Sequence, residues 1–283
     1  MERPVLRLRP LTVSDLLDET FRIYRANFPL FAGLAIAVAL PTVLFQVVAG
    51  TGAVLGTVFS AVNNPAALQA PPQQSPLALL QYPIALLLLP LQTGTLVLAS
   101  VLVCLGEPAS FMGVIRSVLR RYFGLWLLNL VLGLASLLLL CVPVGLFLLT
   151  RLAVAEPAFF AERAGATAAI ERSWRLTDHS FWRTFGILAL VLVVSYALSL
   201  ALSPLLYSVA ALFPGVSFQV RGDLVVIISG LLGQIVLPVY AIAVTLIYFD
   251  LRVRREAYDL EVQAYRLGAD AAVPPPATPR LTS

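Results

Sequence analysis

Apolar and polar positions alternate along the chain in long blocks, not in the short periods of amphipathic strands or soluble helices. Apolar runs cover 29–50, 77–105, 124–161, 181–203 and 224–249. Most are about one helix long, since ~20 residues rising 1.5 Å each cross a ~30 Å hydrocarbon layer. The third run holds 38 residues, about 57 Å as a helix and too long for one ordinary span. It contains Cys-Val-Pro-Val-Gly at 141–145. It reads either as one helix ending near Thr150 or as a hairpin turning at Pro143 and Gly145.

The basic residues separate these readings, because cytoplasmic loops next to spans collect arginine. Take six spans, about 29–50, 77–105, 124–141, 144–161, 181–203 and 224–249, with the N-terminus inside. Arg3, Arg7, Arg9, Arg22 and Arg25 then precede the first span, and Arg116, Arg120 and Arg121 follow the second. Arg163, Arg172, Arg175 and Arg183 follow the fourth, and Arg252, Arg254, Arg255, Arg266 and Arg280 follow the sixth. Seventeen of the nineteen arginines share one side; with five spans, ten would lie outside. Six spans therefore fit better, with both termini cytoplasmic. The outer loop 51–76 carries no charge. Trp126, Trp174 and Trp182 fall at the inner boundaries, where indole rings favour the headgroup zone.

Composition agrees. The chain is 59% hydrophobic and 12% charged, against about 25% charged in soluble domains. The expectation is an all-α integral membrane protein, one polytopic domain over 1–267, with a disordered Pro-rich tail at 268–283. All nineteen basic residues are arginine, as in a GC-rich bacterial genome, which points to the inner membrane. The arginines flank apolar runs, so the net charge of +4 predicts contact with anionic headgroups of the inner leaflet and no nucleic-acid partner. Residues 1–27 show no cleavable signal, and Cys104 and Cys141 fall at opposite faces, so no bridge is expected between them.

A charged, aromatic phrase precedes the apolar runs more than once. Thr20–Phe31 reads TFRIYRANFPLF, and 172–185 reads RSWRLTDHSFWRTF. Shifted by 153 positions, Asp18 meets Glu171, Arg22 meets Arg175 and Phe28 meets Phe181. Each phrase predicts an amphipathic helix lying in the interface. The first has Thr12 as N-cap and an apolar stripe of Leu17, Phe21, Tyr24 and Phe28. Residues 108–123 repeat the physics with a weaker pattern, through Phe111, Ile115, Val118 and Tyr122. The chain thus reads as three hairpins of two spans, each preceded by an amphipathic interfacial helix. Whether the second copy is a true repeat stays open.

The TFRIYRANF entry, the AIERSWRLTDHSFWRTFGI phrase and the YFDLRVRREAYDLE exit together resemble the bacterial family called the membrane domain of glycerophosphoryl diester phosphodiesterase, over roughly residues 8–262. The phosphodiesterase domain itself is missing from this chain, so the family name implies no activity here. The resemblance implies a multi-pass inner-membrane protein of undefined molecular role, connected with envelope lipid metabolism.

Candidate chemistry is sparse. One histidine, His179, cannot build a zinc site from this chain alone, and the lack of lysine excludes a P-loop. No catalytic constellation, metal site or cofactor is expected. The fourth span carries Arg151 and Glu156, each costing ~2.5–3.5 kcal/mol or more if it faced lipid. They lie about 140° apart on a regular helix, so partners should come from other spans, with Asn129, Gln92 and Gln234 as candidates. This is either a polar site for a headgroup, ion or proton, or a structural clamp. Two functions follow: a non-enzymatic scaffold or membrane-protein partner, or a small transporter or lipid-handling protein with a polar site around Arg151 and Glu156. A continuous polar cavity reaching those residues near the midplane favours the second; a tightly packed apolar interior rejects it.

Overall fold

Where side chains are apolar and water is scarce, backbone N–H and C=O groups must satisfy each other, and the helix does so within one segment. The computed structural model describes residues 11–51, 76–138, 142–211 and 217–256. These residues are about 90% helical and contain no strand. The helices are α1 (Val13–Ala26), α2 (Phe28–Val48), α3 (Gln81–Leu105, entered through a 3-10 turn at Pro76–Leu80), α4 (Phe111–Arg120) and α5 (Tyr122–Leu137). There follow α6 (Val142–Leu152), α7 (Ala155–Ala161), α8 (Ala166–Thr177), α9 (Phe181–Ala211) and α10 (Phe218–Glu256). The tail at 268–283, most of the loop 51–76, and Cys141 lie outside the described residues.

Among the described residues, five stretches are long and apolar enough to cross a bilayer: Phe28–Val48, Pro76–Leu105, Val142–Ala161, Phe181–Leu202 and Val220–Glu256. A sixth is reached if α4 and α5, bent by 77° at Arg121, are counted together. The long third run is divided, but not at Pro143 and Gly145 as the sequence suggested. α5 ends at Leu137 and α6 begins at Val142, so Pro143 sits in the first turn of a helix. An N–H is unpaired there in any case, so proline costs little.

The first amphipathic helix forms as expected and packs differently. Thr12 caps it through the Asp15 amide, and the Asp15 carboxylate returns to the Thr12 amide. Its buried side is Leu16, Thr20, Ile23 and Tyr24, rotated from the expected stripe; Phe28 is exposed. The reason is that protein covers this side. α1 packs along α10, with Leu11 at Asp250 and the Tyr24 hydroxyl donating to the Ile235 carbonyl at 2.7 Å. Ile235 lies three residues before Pro238, which cannot continue the backbone ladder. The same device recurs where Tyr122 donates to the Leu87 carbonyl, three residues before Pro90.

Burial follows one pattern in three places. Thr20, Tyr24, Phe31, Leu34 and Ala35 are buried in α1 and α2. So are Val114, Val118, Leu125, Leu128 and Asn129, each 94 residues further on. So are Ser173, Thr177, Thr184, Ile187 and Leu188, each 153 residues further on. The helix breaks correspond as well: Asn27, Arg121 and the turn 178–180 each separate a short helix from a long one. The charged residues of the repeated phrase do not share this regularity. Arg22 pairs with Glu19, while Asp18, Glu171 and Arg175 are exposed.

The core is built around the second half of α10. Val239, Ile242, Leu246, Tyr248 and Phe249 pack with Leu96–Leu102 of α3 and with Phe159 and Phe160 of α7. Gly94 allows the close approach of α3, since a Cβ there would stand 2.3 Å from Leu125 Cδ2. At the end of this core Asp250, only 2% exposed as a side chain, accepts from the Leu11 amide (2.8 Å), Arg183 (2.9 Å) and Arg254 (3.0 Å). Arg183 and Arg254 also both donate to the Leu11 carbonyl. One carboxylate thereby ties the start of α1, the start of α9 and the end of α10. Removing one partner of a buried ionic network costs about 3–5 kcal/mol. Asp250→Ala is therefore expected to lower thermal stability in detergent by that order and to expose the α1 segment to protease. Unchanged melting and proteolysis would contradict this role.

Candidate functional site

Glu156 stands in the first turn of the short helix α7, just beyond a break at Ala153–Val154. Its Oε1 accepts from Asn129 Nδ2 of α5 at 2.7 Å and from Thr93 Oγ1 of α3 at 2.9 Å. Asn129 is itself held by donating to the Leu125 carbonyl at 3.2 Å. Asn129 was expected as a partner from its place in an apolar span. Thr93 was not, because an isolated threonine in a span usually bonds its own helix and carries no pattern of its own.

These groups sit in the wall of a cavity of about 450 Å³. α3, α5, α6, α7, α9 and α10 all contribute to it. Its surface is chiefly apolar, from residues such as Leu96, Phe185, Leu188 and Val244. The polar side chains are Thr93, Asn129, Thr150, Glu156 and Tyr240. An apolar chamber with a few convergent polar groups is the usual form of a small-molecule site.

Arg151 does not take part. Its guanidinium donates to Asp178 Oδ1 at 3.1 Å and lies among the rings of Phe147, Trp174 and Phe181, 5.2–5.9 Å from their centres. Its backbone carbonyl accepts from Ser173 at 2.7 Å and from Thr177 at 3.3 Å. Gln92 and Gln234 bond to each other, joining α3 to α10. The five intramembrane polar candidates thus fall into three separate groups: Glu156 with Asn129, Gln92 with Gln234, and Arg151 with the α8–α9 turn. Asp178 is the acceptor for Arg151; this hydrogen bond holds its carboxyl below the usual range.

A second charged assembly joins α8 to the end of α10. Arg172 Nε donates to Glu162 at 2.6 Å and its two terminal nitrogens clamp Glu256. Tyr248 donates to Glu162 at 2.8 Å and Arg252 to Glu256 at 3.1 Å. Burial opposes the charge of Arg172, and the two carboxylates outweigh that, raising its pKa. Arg121 caps the far end of α7 by donating to the carbonyls of Phe159 and Ala164. Trp182 and Trp174 are exposed near the α8–α9 turn, whereas the Trp126 indole N–H is enclosed and anchors no headgroup. Among the described residues no group of three His, Cys, Asp or Glu side chains is placed to hold a metal ion. Comparison with protein-family models, curated proteins and solved structures found no match.

The geometry of Arg151 is that of a clamp. Arg151→Leu removes an ion pair and cation–π contacts of ~0.5–2 kcal/mol each. It is expected to destabilise the protein in a thermal melt by about 1–3 kcal/mol. The Asp178 pair has a pH signature. A carboxyl whose folded pKa is depressed stabilises above the unfolded value of about 4 and loses that contribution as pH falls below it. The melting temperatures of the protein and of Asp178→Asn should differ at neutral pH and converge below about pH 4.

Proposed function

We propose that this chain is a six-span bacterial inner-membrane protein that holds an amphiphilic small molecule in its helix-lined cavity. The single observation that carries this reading is the chamber of about 450 Å³, apolar on most of its surface and reaching Glu156. A tightly packed interior would have suited the scaffold reading. The spans in this scheme are α2, α3, α5, α6 with α7, α9 and α10. Helices α1, α4 and α8 precede three hairpins as amphipathic elements at the inner face. The burial pattern recurring at 94 and 153 residues supports reading the three units as an internal repeat. Arginine placement supports an N-in, C-in topology, with the inner arginines against anionic headgroups.

The resemblance to the membrane domain of glycerophosphoryl diester phosphodiesterase supports a place in envelope lipid metabolism. We read the role as binding or passage, on the chiefly apolar surface of the chamber. Two measurements test the scheme. A reporter fused after Ser283 should read cytosolic; a periplasmic reading removes the six-span topology. Native mass spectrometry from mild detergent should retain a lipid-sized apolar ligand on the wild type. Ala189→Trp, which fills the cavity wall, should lose it at least about tenfold while melting within a few degrees of wild type. Equal retention by the two proteins contradicts cavity binding.

A further inference from the structure

The cavity holds an acid and no base. Glu156 accepts both of its hydrogen bonds on Oε1, from Thr93 and Asn129, and no bond among the described residues reaches Oε2. Its two partners are neutral. No arginine or histidine lines the chamber, and the nearest arginine in sequence, Arg151, is committed to Asp178. An ionised carboxylate in apolar surroundings is stable only with a countercharge or enough donors. Two neutral donors on one oxygen leave the other free to take a cation from whatever enters.

We propose that the cavity selects a lipophilic amine: a protonated nitrogen docks on Glu156 and its apolar body fills the space between α9 and α10. This rests on the reading of the chamber as a ligand site and adds the charge of the ligand. Phosphate and carboxylate headgroups are disfavoured, because the chamber meets them with an acid and no cation. A hard metal ion is disfavoured as well, because it needs six or more oxygen ligands, and the chamber offers one carboxylate with four neutral polar side chains on a chiefly apolar wall. An alkylammonium needs one strong acceptor and an apolar wall, which is what Glu156, Leu188 and Val244 supply.

The test compares dodecylamine with dodecanol, which share a chain and differ in charge. Retention of each on the purified protein is read by native mass spectrometry at neutral pH. The wild type should retain the amine about tenfold or more over the alcohol, as a charge-assisted hydrogen bond predicts. Glu156→Gln, of the same shape, should bring that ratio to about one and leave alcohol retention unchanged. Equal retention of both on wild type overturns the proposal while the chamber remains a ligand site. Retention of neither overturns the chamber reading, and the proposal with it. Should Glu156→Gln fail to fold, Ala189→Trp locates the effect: an amine preference that survives filling of the cavity arises elsewhere, and the proposal is wrong.

Discussion

The carboxylate of Asp250 is the constraint on which the arrangement depends. A charge this deeply buried survives only if its oxygens are fully bonded. The bonds come from three distant parts of the chain: the Leu11 amide, Arg183 and Arg254. That requirement draws α1 back along α10 and fixes where α9 starts. Once α1 lies there, Tyr24 reaches the carbonyl near Pro238, and Leu16 and Ile23 enter the core. The neighbouring cluster of Glu162, Arg172, Tyr248 and Glu256 repeats the principle one helix further on, holding α8 to the same end of α10. The arginines that look from sequence like a surface facing lipid headgroups are therefore partly internal fasteners. Only some of them, such as Arg175, remain on the surface.

Much of this was legible because the membrane pattern is coarse and strong. Apolar runs of helix length predict helices, and the described residues are helical nearly throughout. The cap at Thr12 was legible too, because a capping box needs only local chemistry. What failed was the assignment of helix faces. A stripe of Leu17, Phe21, Tyr24 and Phe28 and a stripe of Leu16, Thr20, Ile23 and Tyr24 are both apolar enough to be buried. Sequence cannot choose between them without knowing that α10 lies alongside. Pro143 misled for a related reason: proline marks both the end of one helix and the start of the next, and here it starts one. The second amphipathic segment looked like a weak copy because its residue types differ. Its buried positions nonetheless match those of the first, Val114 with Thr20 and Leu125 with Phe31, since packing preserves position more strictly than identity.

The candidate site was half legible. A charged or amide side chain in an apolar run announces itself, and Glu156, Arg151 and Asn129 all did. Their grouping did not, because five residues of spacing between Arg151 and Glu156 set an angle only if the helix is regular. The structure breaks the helix at Ala153–Val154, between the two. On one side of the break the arginine swings to the aromatic rings and acid of the α8–α9 turn. On the other side the glutamate turns inward to Asn129 and Thr93.

That break is what gives the cavity its character. A straight helix would hold the two groups about 140° apart on one span. Separated, the cation pairs with Asp178 of the α8–α9 turn. The acid is left with two neutral donors and an open apolar chamber. A carboxyl is costly to bury in apolar surroundings, and Thr93 and Asn129 already approach each other without it. Glu156 is bonded on one oxygen by Thr93 and Asn129 and lines the chamber, which is the geometry that the proposed ligand would complete.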